Sequence, residues 1–108
     1  MTDSRTERRR SSRLFVQMTA VLRGTDVSGR SFFDRGEAVA IDQYGARIRS
    51  RFKLAAGTEI YMGLPTERDE KLMRVVWCGD PESFYEGIIG VEFVDPNATW
   101  SAETLRVR

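Results

Sequence analysis

The chain has 108 residues, 41% hydrophobic and 31% charged, a composition typical of one globular domain rather than of a disordered chain. Seventeen Lys and Arg against 16 Asp and Glu give a net charge of +1, so bulk charge does not indicate nucleic-acid or membrane binding. The lack of histidine and the single cysteine exclude a Ser-His-Asp triad, an intrachain disulfide and a cysteine-rich zinc site. The composition therefore predicts a non-catalytic, metal-free protein of a reducing compartment, the cytoplasm.

The first 13 residues, MTDSRTERRRSSR, are rich in arginine and contain no large apolar side chain after Met1. They also lack the apolar segment of a signal peptide. Such a segment cannot bury itself, so residues 1–13 are predicted to form a flexible basic arm. Guanidinium groups bind phosphate and guanine edges and stack on bases, and an arm next to a rigid strand could fold over a ligand. Composition alone favours the alternative, a solvated tail.

Alternation of apolar and polar residues predicts six strands separated by turns rich in Gly, Asp and Ser. The predicted strands cover residues 14–22, 31–41, 46–50, 59–64, 72–78 and 84–94. Their spacing of roughly 10–15 residues leaves little room for crossover helices and indicates antiparallel pairing. Because closure removes exposed edges, we expect an all-β, six-stranded antiparallel barrel over residues 14–96. A short C-terminal helix or tail is predicted over residues 97–108.

The pattern also places individual side chains. Residues 72–78 are apolar on both faces, so Trp77 and Cys78 are predicted to be buried. Trp100 is predicted to cap the barrel or to meet a partner. Alternation puts three arginines on the outward face of the third predicted strand, Arg47, Arg49 and Arg51. Like charges in this arrangement usually form a solvated face, although they could add phosphate contacts.

The order of these features follows a recognisable scheme. The arm, a strand, a Gly-Thr-Asp turn, a second strand and the loop AIDQYGARI precede paired strands containing VVWCG at 75–79 and GVEF at 90–93. This order resembles the PilZ domain over about residues 8–96. PilZ domains are six-stranded β-barrels that serve as receptors for the second messenger cyclic di-GMP. The resemblance implies a cytoplasmic signalling module, for example in motility or biofilm regulation, with cyclic di-GMP as ligand and no cofactor.

The family's first ligand motif is RxxxR, often preceded by another arginine. Arg9 and Arg13 match it here, with Arg8 as the preceding residue. The resemblance implies that these arginines stack on a guanine and hydrogen-bond its Hoogsteen edge and the phosphates. Arg10 and Arg47 are expected to add accessory phosphate contacts.

The family's second motif, D/N-x-S-x-x-G, is only partly present. Aligned through Gly45, this chain has Ala40 in place of the acid or amide and Asp42 in place of the serine. Gly45 could supply a positive φ or allow the backbone to approach a ligand closely, or the segment could be a plain hairpin turn. The ligand set implied by both motifs is Arg8, Arg9, Arg13, Asp42 and Gly45.

The two departures are expected to weaken the site. Ala40 removes a hydrogen bond worth ~0.5–1.5 kcal/mol. The charge of Asp42 lies near a dianionic ligand, and a like-charge pair ~4 Å apart costs roughly 4 kcal/mol at an effective dielectric near 20. A carboxylate could offset this by accepting hydrogen bonds from guanine N1–H and N2–H.

Three functions therefore stay open. The first is a stand-alone cyclic di-GMP receptor of weakened affinity, monomer or homodimer, that acts on a downstream protein in trans. The second is a PilZ-like adaptor that binds proteins but has lost the nucleotide. The third, an RNA-binding barrel, rests only on the arginines, and the near-zero net charge counts against it.

Overall fold

Six strands and one short helix make up the part of the chain that the computed structural model describes, residues 13–106. The elements are β1 (Leu14–Thr25), β2 (Ser31–Asp42), β3 (Gly45–Arg49), β4 (Glu59–Gly63), β5 (Lys71–Cys78), β6 (Ile88–Phe93) and α1 (Ala102–Arg106). Of the predicted arm, only Arg13 falls within this range. The helix within these residues is too short to span a membrane.

The strands form one closed antiparallel barrel in the order β1-β2-β3-β6-β5-β4. The barrel closes where β4 returns to β1, with Val21 opposite Gly63 and Gly24 opposite Ile60. The prediction of an all-β, six-stranded antiparallel barrel with a short helix is confirmed. Closure gives every strand two partners, although β4 covers only Val21–Gly24 of β1 and β3 covers only Glu37–Asp42 of β2.

The interior is filled by the side chains that point inward from each strand, which are every second residue. In β1, for example, Val16, Ala20 and Leu22 are buried. The largest fully buried apolar side chains are Leu22, Ile41, Ile48, Ile60, Met62, Met73 and Val75. Alternation in the sequence therefore reports which face of each strand points into the core.

One β-bulge changes which way the end of β5 faces. Val75 lies opposite Val91, but the next pair joins Trp77 to Gly90, so Val76 is the extra residue. An extra residue reverses the alternation beyond it. Trp77 therefore lies on the outer face and is half-buried, and Cys78 is exposed at the end of the strand. The predictions that both side chains are buried in the core are wrong, for Trp77 because of the bulge and for Cys78 because it is the last residue of the strand.

The last strand is shorter than predicted. It begins at Ile88 and not at Phe84, because residues 84–87 belong to a turn. The Ile88 N–H donates to the Tyr85 carbonyl at 2.9 Å, and Gly87 has a φ of +82° that favours glycine. The helix is also shorter than residues 97–108, since α1 covers only Ala102–Arg106.

Trp100 closes one end of the barrel, as one of its two predicted roles required. It is 2% exposed, and its ring centroid lies 4.7 Å from that of Phe93. Its indole Nε1–H donates to the carbonyls of Asp42 at 3.0 Å and Gly45 at 3.2 Å. The segment before α1 therefore holds the turn between β2 and β3.

A polar cluster fixes α1 against the barrel. The side chain of Glu67 is 3% exposed and accepts hydrogen bonds from the Ser101 N–H at 2.8 Å and from the Thr104 hydroxyl. Lys71 pairs with it at 3.6 Å. Burial acts to raise the pKa of Glu67, but these hydrogen bonds and Lys71 outweigh burial and lower it.

Candidate functional site

A single row of residues crosses the outside of the barrel on five neighbouring strands. Strand register places it as Phe15, Ala40, Arg47, Gly90 and Trp77. We call these five residues the outer row. An aromatic ring stands at each end, and small residues flank the central arginine. Phe15 is 74% exposed, so its ring is available to solvent.

Trp77 lies against the backbone of Gly90. A Cβ placed on Gly90 would stand 2.2 Å from the Trp77 Nε1 and 2.5 Å from its Cε2, so only glycine leaves room for the indole. The Arg47 guanidinium carbon lies 5.7 Å from the Trp77 ring centroid, within cation–π range. Trp77 and Arg47 together form a flat, cationic surface on the outer face.

A cleft of about 160 Å³ opens beside this surface. The sequence-predicted residues that line it are Arg13, Ala40, Asp42, Gly45 and Arg47. The structure therefore brings the end of the arm, the turn after β2 and the start of β3 together in one place. Arg8, Arg9 and Arg10 lie outside the described residues. Trp77 and Glu92 also line the cleft and were not among the predicted site residues.

Asp42 organises the turn on one wall of the cleft. Its Oδ1 accepts the Tyr44 N–H at 2.8 Å and the Gly45 N–H at 2.9 Å. This side-chain-to-backbone pattern is an Asx turn, which aspartate forms readily. One carboxylate oxygen is thus committed to the backbone, and Oδ2 keeps its accepting capacity.

Gly45 is required by packing within the barrel. A Cβ there would stand 1.9 Å from the Val91 carbonyl oxygen and 2.7 Å from the Glu92 Cα. Gly45 is not among the glycines with positive φ. The close approach that it permits is therefore to β6, which accounts for the glycine without a ligand.

The three outward arginines of the predicted stripe have different surroundings. Arg49 pairs with Glu37 at 3.7 Å, and Arg51 pairs with the buried Asp34 at 3.0 Å. Among residues 13–106, no carboxylate pairs with Arg47, whose guanidinium faces Trp77. Arg47 is therefore the member of the stripe with capacity to bind an anion.

The charges that line the cleft are balanced within the described residues. Arg13 and Arg47 contribute two positive charges, and Asp42 and Glu92 contribute two negative ones. An anionic ligand therefore needs further cations, and the arm that ends at Arg13 carries them in sequence. Within residues 13–106, no three His, Cys, Asp or Glu side chains are placed to hold a metal ion.

A larger groove of about 600 Å³ lies at the other end of the barrel from Trp100. We call it the mouth groove; segment 50–55 and residues 78–81 and 86–89 supply most of its lining. Cys78 lies on its wall, its thiol donates to the Leu54 carbonyl, and partial burial raises its pKa. The thiol is thus not activated as a nucleophile.

The fold and the site define a small closed β-barrel with a cleft on its outer face, lined by an aromatic ring and by two arginines that two carboxylates balance. No family model, curated protein or solved structure matches the chain.

Proposed function

We propose that the chain is a cytoplasmic PilZ-type receptor for cyclic di-GMP that binds the nucleotide in the cleft beside Trp77. The observation that carries the proposal is the convergence of Arg13, Arg47 and the Trp77 indole on one cleft. A guanine base presents a flat face for stacking and acceptors for guanidinium donors. Gly90 leaves room for the Trp77 indole, whose ring lies against its backbone and lines the cleft.

The size of the cleft defines how much of the ligand it can hold. Pockets that enclose small molecules commonly measure about 300–1,000 Å³. At about 160 Å³, the cleft is suited to one base and not to a whole cyclic dinucleotide. The remaining contacts come from the arm, for which the sequence offers Arg8, Arg9 and Arg10. Binding is therefore predicted to depend on the arm.

The turn geometry reduces the repulsion that Asp42 is expected to exert on an anionic ligand. Two backbone N–H groups already point at its Oδ1, and their dipoles offset part of the negative charge. Oδ2 can then accept from guanine N1–H or N2–H. The missing hydrogen bond at Ala40 has no such compensation, so affinity is weaker than two intact motifs would give.

Signal output follows from ordering of the arm. When the arm closes over the ligand, a surface that was absent in the free protein becomes available to a downstream protein. The proposed switch thus lies in the arm, outside the six strands of the closed barrel.

The second candidate function is a PilZ-like adaptor that does not bind the nucleotide. The balanced charge of the cleft favours it, since Asp42 and Glu92 match the two positive charges of Arg13 and Arg47 in number. This candidate predicts no binding of cyclic di-GMP by a folded sample.

Calorimetric titration with cyclic di-GMP of the wild type and of Trp77→Ala tests the proposal. Stacking on an aromatic ring is worth about 1–3 kcal/mol per base, so we expect roughly a 5- to 150-fold loss of affinity in Trp77→Ala. Tyr61→Ala is the matched control, because Tyr61 is an exposed aromatic on β4 that does not line the cleft. Equal affinities in all three proteins would exclude the cleft beside Trp77 as the binding site.

A further inference from the structure

The loop between β5 and β6 presents an unusually exposed aromatic side chain. Phe84 is 92% exposed, the highest value among the exposed large hydrophobic residues of the described chain. Its only ring contact among residues 13–106 is edge-on to Tyr85, with centroids 5.2 Å apart. An apolar ring in water at this position has no role in the barrel core, and apolar surface of this kind marks interaction sites.

This loop is held in one conformation by its own hydrogen bonds. The Ser83 hydroxyl donates to the Asp80 carbonyl at 2.7 Å, and the Glu82 N–H donates to the Glu86 carboxylate at 3.0 Å. At the base of the loop, the Gly79 N–H donates to the Ile88 carbonyl at 2.8 Å. A pre-ordered loop loses little conformational entropy when its tip docks, which favours Phe84 as an anchor.

The mouth groove lies directly beside this loop. Its apolar surface includes Leu54, Ile88 and Ile89, and its volume of about 600 Å³ is ample for a phenyl ring. Asp80 and Glu86 of the loop line one side, so the exposed ring and the groove belong to one continuous surface patch.

The charges of the two sides of the groove are opposite. The loop carries three carboxylates, on Asp80, Glu82 and Glu86. Segment 50–55 carries Arg51 and Lys53, both exposed. Arg51 is partly engaged by Asp34, whereas no carboxylate within residues 13–106 pairs with Lys53. A surface with an acidic aromatic tip and a basic rim is complementary to a copy of itself.

We propose that this patch is a self-association surface, in which two copies of the chain each insert Phe84 into the mouth groove of the other. In a two-fold symmetric dimer, both copies use the same surface, so Phe84 and the mouth groove must lie on one face of the chain, as they do here. Each contact then occurs twice. The acidic loop of one copy then faces Arg51 and Lys53 of its partner copy. The proposal concerns the protein without nucleotide and does not rest on the cleft.

Sedimentation equilibrium of the full chain without nucleotide tests this directly, up to about 1 mM protein. We expect a monomer–dimer equilibrium, and Phe84→Ala should raise the dimer dissociation constant at least about 30-fold, as for an interface hot spot. Phe33→Ala is the matched control, because Phe33 is an exposed aromatic on β2 that does not line the groove. Lys53→Glu and Glu82→Lys should each weaken the dimer, and the double variant should regain affinity.

The single cysteine supplies a second measurement. Cys78 lines the mouth groove, so insertion of Phe84 should slow its labelling by a thiol reagent. The wild-type labelling rate should fall as protein concentration rises through the dimer range, and the Phe84→Ala rate should stay constant. A wild-type monomer at every concentration, a dimer unaffected by Phe84→Ala, or an unchanged Cys78 rate in the dimer would each overturn the proposal.

Discussion

Replacing Ala40 by aspartate should tighten cyclic di-GMP binding. Ala40 is 3% exposed, lies beside Arg47 in the register of β2 and β3, and lines the cleft. A new carboxylate there restores the acid of the second motif and can accept from the guanine edge. A hydrogen bond to a charged group contributes about 1.5–3 kcal/mol. Competition from Arg47, an ion pair worth about 0.2–1 kcal/mol, offsets part of this. The neighbouring Arg47 charge in turn offsets the repulsion between the new carboxylate and the anionic ligand. The net gain of about 1–2 kcal/mol corresponds to roughly 5- to 30-fold tighter binding.

Calorimetric titration of Ala40→Asp against the wild type measures this gain. Phe33→Asp is the charge-matched control, because Phe33 is exposed on β2 and lines neither the cleft nor the mouth groove. The control should bind as the wild type does. If Ala40→Asp binds no more tightly than Phe33→Asp, or more weakly than the wild type, the alignment of Ala40 with the family's acidic position is refuted.

Three further changes test the structure around the site. Trp100→Phe removes the N–H donor to the carbonyls of the Asp42 turn, and it should lower the unfolding free energy in urea by about 1–3 kcal/mol; an unchanged value contradicts the capping role. Gly90→Ala places a Cβ against the Trp77 indole and should reduce nucleotide affinity about tenfold, whereas unaltered binding would show that the ring position is unimportant. Because the pKa of Glu67 is lowered on folding, its stabilising effect is present above the ordinary value of about 4.5 and is lost as pH falls through the lowered pKa. Glu67→Gln should flatten this acid dependence in thermal melts, and an identical pH profile would contradict it.

Much of the barrel was predictable from the sequence because alternation reports which side chains face the core. The five strands from 14–22 to 72–78 lie where the pattern placed them, to within a few residues at their ends. For the sixth strand, the predicted start was wrong. Phe84 and Tyr85 are aromatic residues typical of a strand, but they lie in a turn that ends at Gly87. Apolar residues in an exposed turn carry no signal that distinguishes them from a strand.

The candidate site was predictable only where local motifs describe it. The family resemblance, through its two short motifs, singled out Arg13, Asp42 and Gly45, and all three line the cleft. Trp77 was missed because a bulge at Val76 reverses the alternation, and a bulge is a property of strand pairing that the local sequence does not show.

The contact between Trp77 and Gly90 was also not predictable from the local sequence. Gly90 lies 13 residues further along the chain, and only the register of β5 and β6 places it under the indole. The hydrogen bond by which Trp100 holds the Asp42 turn also joins residues 58 positions apart in the chain. Contacts of this range depend on closure, which periodicity alone does not fix.

The most direct test of the central claim is a calorimetric titration of the full chain with cyclic di-GMP at moderate salt, for the wild type, Arg9→Ala and Arg30→Ala. Arg30 lies in the turn between β1 and β2 and does not line the cleft, so its variant controls for the loss of one positive charge. We predict binding by the wild type and by Arg30→Ala, and at least about tenfold weaker binding by Arg9→Ala. No heat from a folded wild type at about 1 mM ligand, or equal affinity in all three proteins, would contradict a receptor that closes its arm over the nucleotide.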